Sequence, residues 1–166
     1  MIDIDLKYTV KETAMSPYYG SANAAGFDIA LDELPEDHFL FKQDGIKWRD
    51  DGIIFQGNIL NRFGPFLIPT GVSLEIPEGF EGQCRLRSSI GKLGFIMPNA
   101  PGTIDSDYRG ELFVLMRNMT SKARWIGWRE RIAQVVINQL PRVRLVEHAV
   151  LSETDRGSGG FGSTGK

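Results

Sequence analysis

A single cysteine, Cys84, is all the thiol this chain carries. No intramolecular disulfide can form from it, and no multi-cysteine metal site can be built. Histidine is almost as scarce. His38 and His148 lie far apart with no ligand pattern around either, so zinc and a histidine-based triad lack support and both read as surface residues. Charge of one sign is also missing: 19 Lys and Arg stand against 21 Asp and Glu, a net charge of −2. That gives none of the basic footprint of a nucleic-acid binder. No run is long and apolar enough to span a bilayer. The opening MIDIDLKYTV alternates acids with apolar residues and lacks the apolar stretch of a secretory signal. The expectation is a cytoplasmic protein, in which the sequon Asn118-Met119-Thr120 arises by chance.

What remains is an ordinary globular composition, 42% hydrophobic and 24% charged over 166 residues. That is enough chain for one domain with a real core. The text reads as short strands punctuated by Gly, Pro and Asn. IDIDLKYTV and RVRLVEHAVL alternate at period two, GVSLEIPEGF runs into a Pro-Glu-Gly turn, and ELFVLMRNM and RIAQVVINQL are apolar runs rich in β-formers. Prolines at 65, 69, 77, 98, 101 and 141 interrupt any long helix, leaving room for a turn or two from Ser89 to Lys92. The fold class is all-β, a sandwich or barrel-like fold. Residues 32–64 look inserted, with QDG and DDG turn signals that suggest one or two extra hairpins. One domain is expected over 1–151, with a flexible glycine-rich arm over 152–166. Trp125 and Trp128, flanked by Arg124 and Arg129, could stack on bases, but suit a core or subunit contact better.

Four internal segments could carry chemistry. RLRSSIGKLG (85–94) sets Arg87 before Ser88 and Ser89; arginine forks onto phosphate oxygens and the hydroxyls add hydrogen bonds, although a surface turn would look similar. GTIDSDYRG (102–110) places Asp105 and Asp107 in a turn-rich stretch, where a carboxylate can act as a general base or serve turn chemistry alone. AAGFDIA (24–30) holds one acid, Asp28, inside an apolar strand, a costly position unless it is paired, near a cation or facing water. RERIAQVVI (129–137) holds one amide, Gln134, in another apolar strand. The chain closes on RGSGGFGSTGK (156–166). Its GFGSTGK spells a phosphate-loop pattern, but the chain stops where the required hydroxyl residue and helix should follow, so that reading is rejected.

Taken in order, AAGFDIA, RSSIGKLG, GTIDSDYRG, RIAQVV and RGSGGFGSTG resemble the five motifs of the trimeric deoxyuridine triphosphatase (dUTPase) family, as does IPTGVSLEIPEGF between the first two. Residues 32–64 depart from it in length, and GWRERIAQ stands where a shorter Gly-acid-Arg-Ile-Ala-Gln is usual. The resemblance implies a distorted β-barrel or jelly-roll-like fold with little helix and a flexible C-terminal arm. It implies hydrolysis of dUTP to dUMP and pyrophosphate with Mg²⁺, which limits uracil in DNA and supplies dUMP for thymidylate synthesis. By motif match, Asp105 would activate the attacking water and Asp28 would hold the metal through water. Arg87, Ser88, Ser89 and Gln134 would grip the phosphates. Asn99 with Thr103, Ile104 and Phe113 would seat uracil, and Tyr108 would pack against the sugar. Arg156, Phe161 and Gly162 would close over the substrate from the arm, with Phe161 stacked on uracil. A homotrimer with sites shared between subunits is implied, with no nucleic-acid or membrane partner. The rival readings are a dCTP deaminase of related fold, which the aromatic glycine tail disfavours, and a regulatory binding protein on the same scaffold. A structural β-sandwich gives no reason for these motifs to occur together.

Overall fold

The segment Glu111–Asn118 alternates between the core and the opposite face along almost its whole length, the period of a strand covered on one side. It is β10 of the twelve strands among the described residues. The computed structural model describes residues 3–160. Along them run β1 (Lys7–Val10), β2 (Tyr18–Tyr19), β3 (Phe27–Ala30), β4 (Ile46–Arg49), β5 (Gly52–Phe55), β6 (Phe66–Glu75) and β7 (Phe80–Leu86). A single short helix, α1 (Ser88–Lys92), follows, then β8 (Phe95–Ile96), β9 (Gly102–Ile104), β10, β11 (Arg124–Gly127) and β12 (Arg131–Gln139). No helix among the described residues is long and apolar enough to cross a membrane.

The strands form three sheets, β1-β6-β10-β8, β11-β5-β4 and β2-β3-β12-β7-β9. They do not close into a ring, but wrap one core to which all three contribute: Ile68, Val114 and Met116 from the first, Ile53, Phe55 and Ile126 from the second, Ile29, Cys84 and Val135 from the third. Phe55 meets Phe95 edge-on at 4.9 Å between ring centres, a favoured aromatic geometry. This is the all-β, distorted jelly-roll-like arrangement expected, with five helical residues where a turn or two was anticipated.

Residues 32–64 yield one hairpin, β4–β5, turned at the DDG signal and registered Ile46↔Phe55 to Arg49↔Gly52. Its far edge pairs with β11, and Leu34, Leu40, Ile46, Ile53 and Phe55 lie in the common core. The segment is therefore built into the packing. Pro69 sits inside β6, where it cannot donate to a ladder; β1 pairs only with Val72–Glu75 and never reaches it.

Two expectations fail. RVRLVEHAVL forms no strand: residues 141–150 have no regular structure, and Val143 and Leu145 are 72% and 92% exposed. An alternating segment becomes a strand only when a neighbour supplies hydrogen bonds, and this one has none among the described residues. His38 is no simple surface residue, since its Nδ1 accepts from the Leu40 amide at the start of a 3-10 turn over Phe39–Lys42. His148 is exposed.

Candidate active site

Asp28, the odd acid of β3, lies directly across from Gln134 of β12, which lies across from Arg85 of β7. Cross-strand partners share a face, so this polar row occupies the side of the five-stranded sheet away from the core. Phe27, Val135 and Cys84, the adjoining row, point inward and are buried. Asp28 is only 8% exposed. Its Oδ2 is held by Arg131 Nη1 at 3.0 Å and by Arg87 Nε at 3.3 Å. Two guanidiniums on one carboxylate oxygen compensate the burial of the acid and leave one net positive charge beside it. The water-facing reading of Asp28 is thereby corrected.

Asp28, Arg87, Ser88, Ser89 and Gln134 line one cavity of about 280 Å³ together with Gly20, Ser21, Ala24 and Gly26. Gly26 is required there, because a Cβ would sit 2.6 Å from the Val135 carbonyl oxygen. Arg87 is fixed from behind by its own amide donating to Ile132 O and by Nη1 donating to Arg131 O at 3.4 Å. Cationic and hydroxyl donors around an open polar cavity are suited to phosphate oxygens.

Asn99, Thr103, Ile104 and Phe113 line a second, smaller cavity of about 70 Å³ together with Cys84, Met97, Gly102, Leu112 and Leu115. Burial pushes the Cys84 thiol up to about 12, so it is a neutral apolar wall and not a nucleophile. Asp105 follows at the end of β9 and is exposed. With Ser106, Asp107 and Arg109 it borders an open hollow of about 720 Å³. The turn is braced from within: the Tyr108 amide donates to Asp105 O, and Arg109 Nη1 donates to Ser106 O and Tyr108 O. The Tyr108 hydroxyl donates to Glu111 O at 2.8 Å.

These two sets do not meet within one chain. β3, β12, β7 and β9 are successive neighbours, so three strand spacings, roughly 14 Å, separate Asp28 from the strand leading into Asp105. Arg156 stands apart from both, its Nε donating to Gly159 O within its own turn. Phe161 and Gly162 lie outside the described residues. Arg131 holds Asp28 but was not picked out from the sequence. A strict period-two reading places it opposite Gln134; a bulge between Arg131 and Ala133 brings it round to the same face. The one signal available was two consecutive apolar residues, Ile132 and Ala133, both of which are buried. Tyr18, under the Arg131 guanidinium at 5.3 Å, gave no such signal.

Among the described residues no three His, Cys, Asp or Glu side chains converge. Asp28 already commits one oxygen to two arginines. This donor set does not fit a cage of direct carboxylate ligands. It fits a hydrated Mg²⁺ carried by phosphates and touched through water, the ion's usual mode.

An all-β protein with a cationic cavity on one sheet face and a second, smaller cavity beside its edge strand β9 is suited to an anionic ligand such as a nucleotide. The comparisons go further. The family model for dUTPase matches residues 56–165. Deoxyuridine 5'-triphosphate nucleotidohydrolase of Rhizobium leguminosarum bv. trifolii is 54% identical over 152 residues, covering 90% of this chain and 84% of the relative. The protein of the same name from Fusobacterium nucleatum is 50% identical over 167 residues, covering all of both. Among solved structures, a Staphylococcus bacteriophage 80alpha dUTPase bound to dUPNHPP superposes with a TM-score of 0.76 over 98% of this chain and 99% of its own, at 22% identity, a likeness of fold. The chain belongs to the dUTPase family.

Proposed function

We propose that this chain hydrolyses dUTP to dUMP and pyrophosphate, using Asp105 as general base and the Asp28–Arg87–Ser88–Ser89–Gln134 cavity as the phosphate site. The observation that carries this reading is the segregation of motif residues into a cationic cavity and a base-sized cavity, in a chain half identical to proteins named for this reaction.

Uracil enters between Asn99, Thr103, Ile104 and Phe113, and Tyr108 forms the wall beside C2′ that leaves no room for a ribose hydroxyl. Asp105 orients a water and takes its proton as the water oxygen bonds to the α-phosphorus. The bond from that phosphorus to the α–β bridging oxygen breaks, and pyrophosphate leaves with the electron pair. Arg87, Ser88, Ser89 and Gln134 hold the phosphate oxygens while charge redistributes, the positioning and electrostatic work on which phosphoryl transfer depends. Mg²⁺, when bound, would neutralise phosphate charge, with Asp28 and the substrate holding it through water. From the arm, Arg156 reaches the phosphates, and Phe161 and Gly162 cover the base.

Asp105 stands three strands away from Asp28, too far for its water to reach a phosphorus held in the same chain's phosphate cavity, and Val143, Leu145, Val150 and Leu151 are left uncovered among the described residues. Both features support a homotrimer in which one subunit supplies Asp105 and Tyr108 to its neighbour's phosphate cavity. A cytoplasmic place of action, limiting uracil in DNA and supplying dUMP, belongs to the same proposal. The test is pyrophosphate release from dUTP, dCTP, dTTP and UTP side by side with Mg²⁺. Release confined largely to dUTP supports the reading; ammonia from dCTP, or no turnover of dUTP, overturns it.

A further inference from the structure

Glu111 opens β10 directly after the Asp105–Gly110 turn, and its side chain does not enter either cavity. Both carboxylate oxygens are nevertheless committed. Oε2 takes the Lys11 ammonium at 2.7 Å, and Oε1 takes the Gly71 amide at 2.8 Å. The Lys11 amide donates in turn to Gly71 O at 2.9 Å. Three hydrogen bonds thus close a ring through the end of β1, the middle of β6 and the start of β10.

Gly71 sits where the pairing of β6 with β10 slips between Glu111↔Ser73 and Phe113↔Pro69. Its φ is +66°, the left-handed region that favours glycine, and a Cβ there would overlap Ala14 Cβ. The slip removes the Gly71 amide from the ladder, and the Glu111 carboxylate satisfies it. Behind the ring lies Asp32, 2% exposed, with Oδ2 at 4.0 Å from Lys11 Nζ and Oδ1 without a partner among the described residues. The ammonium is therefore drawn toward two carboxylates, one of them buried.

The opposite end of Glu111 is its carbonyl, which receives the Tyr108 hydroxyl. Tyr108 is 45% exposed, and the phenol end of its ring lies over Gly110, where a Cβ would overlap it. Its hydroxyl bond to Glu111 O anchors that same end. We propose that Glu111 is a positioning residue for sugar selection: clamped by Lys11 and the Gly71 amide, it fixes the carbonyl on which Tyr108 seats. This rests on the reading of Tyr108 as the wall beside C2′.

A bulge-capping role alone would lower activity toward every nucleotide alike. A positioning role moves the ratio of kcat/KM for dUTP to that for UTP. The experiment compares this ratio in wild type, Glu111→Ala, Lys11→Met, Lys11→Arg, Tyr108→Ala and the Lys11→Met/Tyr108→Ala double variant. Lys11 is half exposed, so its variants test the idea even where Glu111→Ala fails to fold. The expected result is a ratio lowered on the order of ten-fold in Glu111→Ala and Lys11→Met, short of the ~10²-fold that a 1 Å misplacement can cost. Lys11→Arg should keep the wild-type ratio, and Lys11→Met should add nothing once Tyr108 is gone. If Tyr108→Ala lowers the ratio and folded Lys11→Met does not, the positioning role is overturned while the sugar wall stands. If Tyr108→Ala leaves the ratio unchanged, both are overturned.

Discussion

Asp105 is the residue on which the proposed chemistry turns, and its surroundings would separate catalysis from binding. It is exposed at the end of β9, and its backbone carbonyl, not its side chain, braces the turn. Asp105→Asn should therefore keep the turn and the affinity for a non-hydrolysable dUTP analogue while lowering kcat by roughly 10² to 10⁴, the range for a positioned acid or base. Near-normal turnover would remove it from the mechanism. Stability against pH follows from a different residue. Burial, then the Lys11 ammonium, hold His38 below its ordinary 6.5, against the raising influence of Glu111, Asp32 and Asp37. Between its folded value and 6.5 the unfolded chain binds the extra proton, so stability rises with pH in that window. The contribution is whole above 6.5 and is lost as pH falls below it. Protonation also removes the Nδ1 lone pair that accepts from Leu40. His38→Asn keeps an acceptor at that cap, so its Tm should fall less than that of wild type between pH 7 and pH 5. Parallel Tm profiles would show that His38 does not titrate against folding.

Residues that break a pattern were the legible ones. Asp28 and Gln134 interrupt apolar strands, and each lines the cavity proposed for phosphate. Arg131 keeps the polar–apolar character of its surroundings and reaches Asp28 only through a bulge, a backbone event with no residue type of its own. Asp32 and Lys11 were invisible for another reason: their meaning lies in contacts with Gly71 and Glu111, many residues away in sequence.

At the scale of elements, a strand was readable when its partner lay nearby in the chain or its alternation faced the common core. β4 and β5 announce themselves through the DDG turn, and β10 through its period. The segment 142–151 has the alternation without a partner among the described residues, so the same pattern yields no strand. The β4–β5 hairpin also shows how a close approach fixes a glycine. Gly52 faces Gly127 across the β5–β11 ladder, and a Cβ on Gly52 would overlap the Ile126 carbonyl oxygen. Gly52→Ala should therefore force β11 away from the hairpin and cost about 1 to 3 kcal/mol, the usual penalty of overpacking. The urea midpoint measures it. An unchanged midpoint would mean that β11 holds the hairpin loosely, contrary to the burial of Ile53, Phe55 and Ile126.

At the scale of the whole molecule, the separation of the two residue sets leads to a prediction about mixtures of inactive chains. Arg87 and Asp28 lie in one cavity, and Asp105 lies beyond β9 at the other end of the sheet. If each working site takes its phosphate cavity from one subunit and its base from the next, Arg87→Ala and Asp105→Asn damage different halves of a site. A trimer of either variant alone has no complete site. In mixed trimers, a site is whole wherever an Asp105→Asn subunit offers its intact Arg87 to an Arg87→Ala subunit carrying an intact Asp105. Random reassembly of equal amounts makes about a quarter of the sites whole in a cyclic trimer. Activity should then rise well above either parent after unfolding and refolding together, and stay at parental levels when the two are mixed without exchange. Subunit exchange is verified separately by mass-tagging one parent. Exchanged trimers that remain inactive would mean that each chain completes its own site. The roughly 14 Å across three strand spacings would then have to be closed by a rearrangement within the sheet, which its continuous β3-β12-β7-β9 ladder opposes.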